Sequence, residues 1–123
     1  MDDHAISIED YSTDWPLVFE KEKNQIKKVT GDLAIEHIGS TSVPGLSAKP
    51  VIDIMGAVQN IDETRNYVDV LANLGYKYIP ELESHFPNRR FFQKRTDKGL
   101  WYHFSFVEPT DPFWIDHILF RDY

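Results

Sequence analysis

The sequence has no cysteine, and no stretch of it approaches the roughly 18 consecutive apolar residues of a membrane-spanning helix. The first absence excludes disulfides, thiolate metal sites and a cysteine nucleophile. The second argues against a membrane protein, and the acidic first ten residues do not have the basic and then apolar pattern of a signal peptide. We therefore expect a cytoplasmic protein.

Positive charge is also scarce. The chain carries 13 lysines and arginines against 20 aspartates and glutamates, which gives a formal net charge of -7. Proteins that hold long nucleic acids by the phosphate backbone need a basic surface, so this class of partner is not expected. A small phosphorylated molecule needs only two or three well-placed cations and stays possible.

Length and composition are those of an ordinary globular domain. With 123 residues, 41% of them hydrophobic, we expect a single domain over residues 1–123. A last helix begins near Thr110 or Asp111 and has no terminating glycine before Tyr123, so we expect the domain to be truncated at its C-terminus. An unfinished helix would expose Trp114 and Ile118 and favour a homodimer.

The pattern of apolar residues predicts an α+β fold. Helical spacing follows an N-cap at Asp14 and ends at Gly31, and a second helix with a capping box begins at Asn60. Strands are predicted at 33–38, 51–58, 76–79, 90–94 and 100–108, the last two joined by a hairpin turn. This order predicts a mixed sheet with helices on one side.

One acid, Asp53, interrupts the very apolar strand 51–58. An isolated buried carboxylate is costly unless it is paired or binds a metal. The loop before this strand contains Gly39 and Ser40, whose small size lets backbone N–H groups approach an anion. The pattern fits a phosphate and Mg²⁺ site, but it also fits an ordinary turn with an aspartate that caps a neighbouring backbone.

Residues 37–54 resemble the signature of the GrpB family. The matching residues are His-Ile-Gly-Ser-Thr-Ser-Val-Pro-Gly-Leu at 37–46, Ala-Lys-Pro at 48–50 and Ile-Asp-Ile at 52–54. Further matches lie near Trp15, at 89–94, at 103–108 and at 120–123, so the resemblance spans essentially the whole chain. The family is placed in the nucleotidyltransferase superfamily and is also found fused to dephospho-CoA kinase.

This resemblance implies a nucleotidyltransferase-like short mixed β-sheet flanked by helices. It also implies that Gly39, Ser40 and Thr41 hold the phosphates of a nucleotide and that Asp53 binds Mg²⁺. The superfamily places a second carboxylate two residues later, where this sequence has Met55. Glu108 is our candidate for a remote acid that completes the metal site, although an exposed strand-end acid is the simpler interpretation.

Two histidines join Asp53 as candidate catalytic residues. His37 lies inside the family motif and His103 lies on a predicted strand, although each is equally compatible with a structural role. The family often has a second histidine where this sequence has Ser105, so a paired-histidine metal site is in doubt.

The candidate phosphate-binding cations are Lys49 and Arg90, chosen from a set that also includes Arg89 and Lys94. Strand alternation should send Arg89 and Arg90 to opposite faces, so at most one of them is expected to face a ligand.

Three functions remain open from the sequence, of which a purely structural partner domain, suggested by the fusions found in the family, is the weakest. The first is an enzyme that binds a nucleoside triphosphate with Mg²⁺ and transfers a nucleotidyl group to a small acceptor. The second is a binding module for a nucleotide or another small phosphorylated ligand, including one related to coenzyme A, without turnover. Met55 and Ser105 favour the second.

Overall fold

Five strands form one mixed sheet in the computed structural model, which describes residues 8–122. The strands are β1 (Ile35–Ile38), β2 (Val51–Ala57), β3 (Lys77–Tyr78), β4 (Arg90–Arg95) and β5 (Trp101–Val107), in the spatial order β1-β2-β5-β4-β3. Only β2 and β5 run parallel, and the other three neighbouring pairs are antiparallel. The predicted α+β fold with a mixed sheet is confirmed.

Three α-helices accompany the sheet: α1 (Asp14–Thr30), α2 (Val68–Ala72) and α3 (Pro112–Asp122). The predicted helix after Asn60 exists only in part, because residues Ile61–Tyr67 form a 3-10 helix and α2 is a short continuation of it. Its predicted capping box is present. The Asn60 side chain accepts from a backbone N–H of the first turn, and the Glu63 side chain accepts from the Asn60 N–H. None of the described helices is long and apolar enough to cross a membrane.

The main hydrophobic core lies between one face of the sheet and the helices α1 and α2. Alternate residues of the three longest strands point to this face, as the pleat of a β-sheet requires. The core contains Ile52, Ile54, Phe92, Phe104 and Phe106 from the strands, with Phe19, Ile26 and Leu71 from the helices. Burying these aromatic and branched side chains supplies most of the stabilisation of the fold.

The polar residue on the inner face of α1 is explained by a buried cluster. Glu22 accepts a hydrogen bond from the Tyr76 hydroxyl at 2.7 Å and forms an ion pair with Lys94. Burial and the Glu22 carboxylate raise the pKa of Tyr76 well above its usual value, and the same causes raise that of Tyr102 to about 12. Lys94, a candidate phosphate ligand from sequence, is therefore occupied in the core.

The expectation of helices on only one side of the sheet was wrong, because α3 lies against the opposite face. Arg121 near its end donates to Glu36 Oε1 at 2.6 Å and to the His37 carbonyl at 3.2 Å. Glu36 is in register with Met55 on β2, which places α3 over the face that also carries Asp53. This helix thus partly covers the face where the candidate site lies.

The apolar side chains exposed on α3 differ from those expected. Trp114 and Ile118 are half-buried, whereas Ile115, Leu119 and Phe120 are the large apolar residues that face solvent. A homodimer through this helix stays a prediction, and its contacts would be made by Ile115, Leu119 and Phe120.

Candidate functional site

The glycine loop and Asp53 meet at the end of β1. Ile38 is paired with Asp53 across the β1–β2 ladder, and Gly39 follows with φ of 74° and ψ of -172°, a backbone conformation that essentially only glycine adopts. A Cβ atom at Gly39 would lie 2.4 Å from Asp53 Oδ2. Asp53 therefore rests directly on the glycine backbone, which is why residue 39 has no side chain.

The loop after Gly39 is a single 3-10 turn, Ser40–Ser42, that satisfies part of its own backbone. The Ser42 N–H donates to the Gly39 carbonyl at 3.1 Å, and the Val43 N–H donates to the Ser40 carbonyl at 3.2 Å. Of the N–H groups in this turn, only those of Ser40 and Thr41 can belong to the predicted anion-binding nest. Ser40 is exposed at its edge.

His37 and Thr41 support the loop from behind. The Thr41 hydroxyl is buried and donates its hydrogen to the Val51 carbonyl at 2.9 Å, so it accepts the 3.0 Å hydrogen bond from His37 Nε2. His37 stacks on Phe19 of α1, on the face of the sheet opposite to Asp53. Desolvation lowers the pKa of His37 to about 4, although the Asp53 charge opposes this shift. Neither of these two predicted site residues faces the ligand side.

Asp53 and His103, by contrast, lie side by side. They are paired in register on the parallel strands β2 and β5, with His103 Nδ1 3.5 Å from Asp53 Oδ1. The imidazole ring also meets the edges of Phe91 at 5.3 Å and Trp101 at 6.3 Å between ring centroids. The carboxylate and the aromatic edges together set the orientation of the imidazole, and both polar groups stay partly exposed.

The arginine in the cavity with Asp53 is Arg89, whereas the sequence predicted Arg90 as the phosphate ligand. The Arg89 guanidinium lies 4.3 Å from the Phe86 ring centroid and 4.7 Å from that of Phe113, and its buried Nε–H has no hydrogen-bond partner among residues 8–122. Burial lowers its pKa, and the charge of Asp53 opposes the change. An aromatic enclosure of this kind holds a cation in place while leaving its N–H donors for a ligand.

Arg90 points to the other face of the sheet, where its partners are protein groups. Its guanidinium lies 3.7 Å from Glu83 and 3.9 Å from Asp62, and it donates to the Pro87 carbonyl at 2.8 Å. The predicted alternation of the two arginines is confirmed, but the sequence contained no signal that decided which of them faces Asp53.

Two adjoining cavities flank Asp53, Phe91 and His103, which line both of them. The larger has a volume of about 520 Å³ and lies beside Ser40, Ala48, Lys49, Val51 and Gln93. The smaller, of about 310 Å³, lies beside Gly39, Leu82, Arg89, Ser105, Phe113 and His117. The predicted phosphate ligand Lys49 is thus at the larger cavity and exposed. Phe113 and His117 come from α3 and were not predicted as site residues.

The residues present do not form a paired-carboxylate metal site. Glu108 lies five residues beyond His103, about 16 Å along β5 at roughly 3.3 Å per residue, and it accepts from the Ile61 N–H at 3.0 Å. Met55, at the position of the second carboxylate, is completely buried. Within residues 8–122, no three histidine, aspartate or glutamate side chains lie close enough together to hold a metal ion. Among the described residues that line the two cavities, Asp53 is the one carboxylate available to a Mg²⁺ ion.

Comparison with known proteins agrees with the motif. A family model described as GrpB protein matches residues 5–123. The chain belongs to the GrpB family. It is 37% identical over 115 residues to the UPF0157 protein YqkA of Bacillus subtilis, a match that covers 92% of this chain and 33% of that protein. It is 30% identical over 119 residues to the glutamate-rich protein GrpB of Alkalihalophilus pseudofirmus, covering 92% of this chain and 67% of that one.

A solved structure of a GrpB protein has the same fold. The crystal structure of the conserved protein GrpB from Enterococcus faecalis superposes with a TM-score of 0.83 at 30% sequence identity, covering 95% of this chain and 71% of that one. The chain spans 33%, 50% and 60% of the lengths of three curated bacterial relatives, from Bacillus, Halalkalibacterium and Streptomyces. The match therefore covers only part of each of those three proteins.

Proposed function

We propose that this GrpB domain binds a small phosphorylated ligand, with a phosphate group in the smaller cavity against Arg89 and the Gly39–Ser40 loop. The observation that carries the proposal is the Arg89 guanidinium, which is enclosed by two phenylalanine rings and whose buried Nε–H finds no hydrogen-bond partner in the described part of the chain. Asp53 and His103 lie in the same cavity and would contact the phosphate or its substituent.

Electrostatics favours an anion at this position. A buried donor without a partner costs about 1–3 kcal/mol, and more when the group is charged. An anion that accepts from Arg89 would remove this cost. The pKa of Arg89 is lowered chiefly by burial, which is the shift that an incoming negative charge reverses. The guanidinium is also the group that binds two oxygens of one phosphate in a planar fork.

The larger cavity suggests what is attached to the phosphate. Its volume of about 520 Å³ is within the usual range for small-molecule sites, and its walls include Val51, Ala48 and the ring of Phe91. Such a surface suits a flat, partly apolar group such as a nucleobase. Lys49 at its edge could contact a further phosphate, so a nucleotide or a coenzyme A fragment is the ligand class we favour.

Mg²⁺-dependent nucleotidyl transfer is the second candidate function. The contact between Gly39 and Asp53 favours it, because it places a partly exposed carboxylate beside the loop that the family motif assigns to phosphates. A magnesium ion there would take its remaining ligands from phosphate oxygens and water. The buried Met55 opposes this function, and we rank it below ligand binding.

Titration calorimetry with ATP, CTP, GTP and UTP, each with and without Mg²⁺, tests the proposal. We expect Arg89→Gln to weaken binding about tenfold or more, because a charge-assisted hydrogen bond contributes about 1.5–3 kcal/mol. Arg90→Gln is the matched control, and it should change the affinity less than about twofold, since Arg90 faces the other side of the sheet.

Equal losses in the two arginine variants, or no binding of any phosphorylated compound by the wild-type chain, would disprove the proposed site. Transfer of label from an alpha-labelled nucleotide to an acceptor, abolished by Asp53→Ala and dependent on Mg²⁺, would instead establish the second candidate function.

A further inference from the structure

The smaller cavity contains an imidazole from α3. His117 lines it together with Arg89 and Ser105. Its Nδ1 lies 2.7 Å from the carbonyl oxygen of Phe113, one turn earlier in the helix, and the two rings are 4.1 Å apart between centroids. A carbonyl oxygen can only accept, so His117 Nδ1 carries the hydrogen and donates it.

This hydrogen bond decides which form of His117 can bind an anion. A neutral imidazole has one hydrogen, and here Nδ1 uses it within the helix. Its Nε2 then presents a lone pair, which repels an ionised oxygen. Nε2 can donate to such an oxygen only after the ring gains a second proton. Contact between His117 and a fully ionised anion therefore requires uptake of a proton.

The charged and titratable groups around this cavity favour such uptake when a ligand arrives. Asp53 on β2 and Arg89, before β4, line this cavity together with His117 and carry opposite charges. An anion bound to Arg89 offsets the positive charge of the arginine and brings negative charge into the cavity that His117 lines. His103 on β5 faces the same cavity and is the other group that could accept the proton.

We propose that His117 is the second phosphate-contacting residue of the site, and that it takes up a proton as it donates from Nε2 to a terminal phosphate held by Arg89. This inference rests on the proposed function. A terminal group is specified because the smaller cavity lies between the sheet and α3, and the larger cavity, which adjoins it at Asp53 and Phe91, has room for the rest of the ligand. A doubly charged phosphate monoester would thus bind better than a singly charged diester.

Inorganic sulfate is the probe for the test, because it stays a dianion between pH 5 and 8 and does not exchange protons itself. Calorimetric titrations in buffers of different ionisation enthalpy at pH 7.5 measure the protons taken up. We expect uptake approaching one proton per sulfate for the wild-type chain, close to zero for His117→Gln, and unchanged for His103→Gln. The affinity of the wild-type chain for sulfate should also rise as the pH is lowered from about 8 to about 6, because each sulfate bound consumes a proton.

A measurement on the wild-type chain does not depend on how the variants fold. The His117 ring resonances should move to the positions of the protonated imidazole on adding sulfate at constant pH. Uptake that persists in His117→Gln and disappears in His103→Gln would overturn the inference. If sulfate binding needs Arg89 but takes up no proton, the inference about His117 is wrong and the proposed function stands. If sulfate binding is unchanged in Arg89→Gln, both the inference and the proposed function are wrong.

Discussion

The buried His37 makes the free energy of unfolding of the domain sensitive to acid. Its Nε2–H holds the Thr41 hydroxyl, and burial lowers its pKa from 6.5 to about 4. In the unfolded chain the same group has the ordinary pKa of about 6.5. The unfolded state therefore binds more protons than the folded state below pH 6.5, and stability must fall as the pH is lowered from about 6.5 towards 4.

The magnitude follows from the two pKa values. At pH 5 the difference corresponds to about 2 kcal/mol, and at pH 4 to about 3 kcal/mol, relative to pH 7.5. The loss should level off below pH 4, where His37 is protonated in both states. These are large fractions of the stability of a domain of this size. The hydrogen bond to Thr41 should itself survive protonation, because the added proton goes to Nδ1 and Nε2–H stays a donor.

Urea unfolding between pH 4 and 8, compared with His37→Gln, measures this term. Glutamine keeps an N–H donor for Thr41 but cannot be protonated, so the variant should lack about 2 kcal/mol of the acid-dependent loss at pH 5. All other titrating groups are common to both proteins and cancel in the comparison. Parallel stability curves for the two proteins from pH 8 to pH 4 would refute the reasoning.

Two further substitutions test the contacts that shape the site and the core. Gly39→Ala and Gly31→Ala impose a similar strain of order 1–3 kcal/mol, because both glycines have positive φ with ψ near -160° to -170°. Only Gly39→Ala adds a clash with Asp53, so urea unfolding should show it to be the more destabilising, and equal losses would contradict the contact. Lys94→Met should cost about 3 kcal/mol in the same assay, since it leaves Glu22 buried without its cation. A loss below about 1 kcal/mol would mean that the pair contributes no more than a surface ion pair.

Hydrophobic periodicity was sufficient to predict the sheet. The strands that carry Asp53 and His103 were predicted at the right places. The pairing of these two residues across β2 and β5 depends on those positions. Placement of α3 was not predictable in this way, because its apolar residues lie around most of the helix and do not specify one sheet face. The packing of α3 against Glu36 brings Phe113 and His117 to the site.

The site residues divide according to how local their environment is. Gly39 and Ser40 could be assigned to a tight turn from the sequence, because the residue types that form such a turn are local to it. His37 and Thr41 lie in the same motif, but they are held by contacts with Phe19 and with the Val51 carbonyl. Their role as internal supports depends on tertiary packing, which the motif does not encode.

The choice between Arg89 and Arg90 shows the same limit. Alternation along a strand places neighbouring side chains on opposite faces, but it does not say which face carries the ligand. The decisive feature is the pair of rings from Phe86 and Phe113, one of which comes from a different element 24 residues later. Glu108 does not reach Asp53 for a related reason: the register of β5 against β2 decides which residue lies beside Asp53, and that residue is His103.

The measurement that tests the central claim most directly is the side-chain NMR spectrum of the arginines during a titration with inorganic pyrophosphate. The Nε–H resonance of Arg89, assigned by its loss in Arg89→Lys, should shift downfield in a saturable manner, because the guanidinium, whose Nε–H has no acceptor within residues 8–122, gains an anionic one. The resonance of Arg90 should stay in place, since its partners are Glu83 and the Pro87 carbonyl. A shift of Arg90 with an unmoved Arg89 would contradict the account.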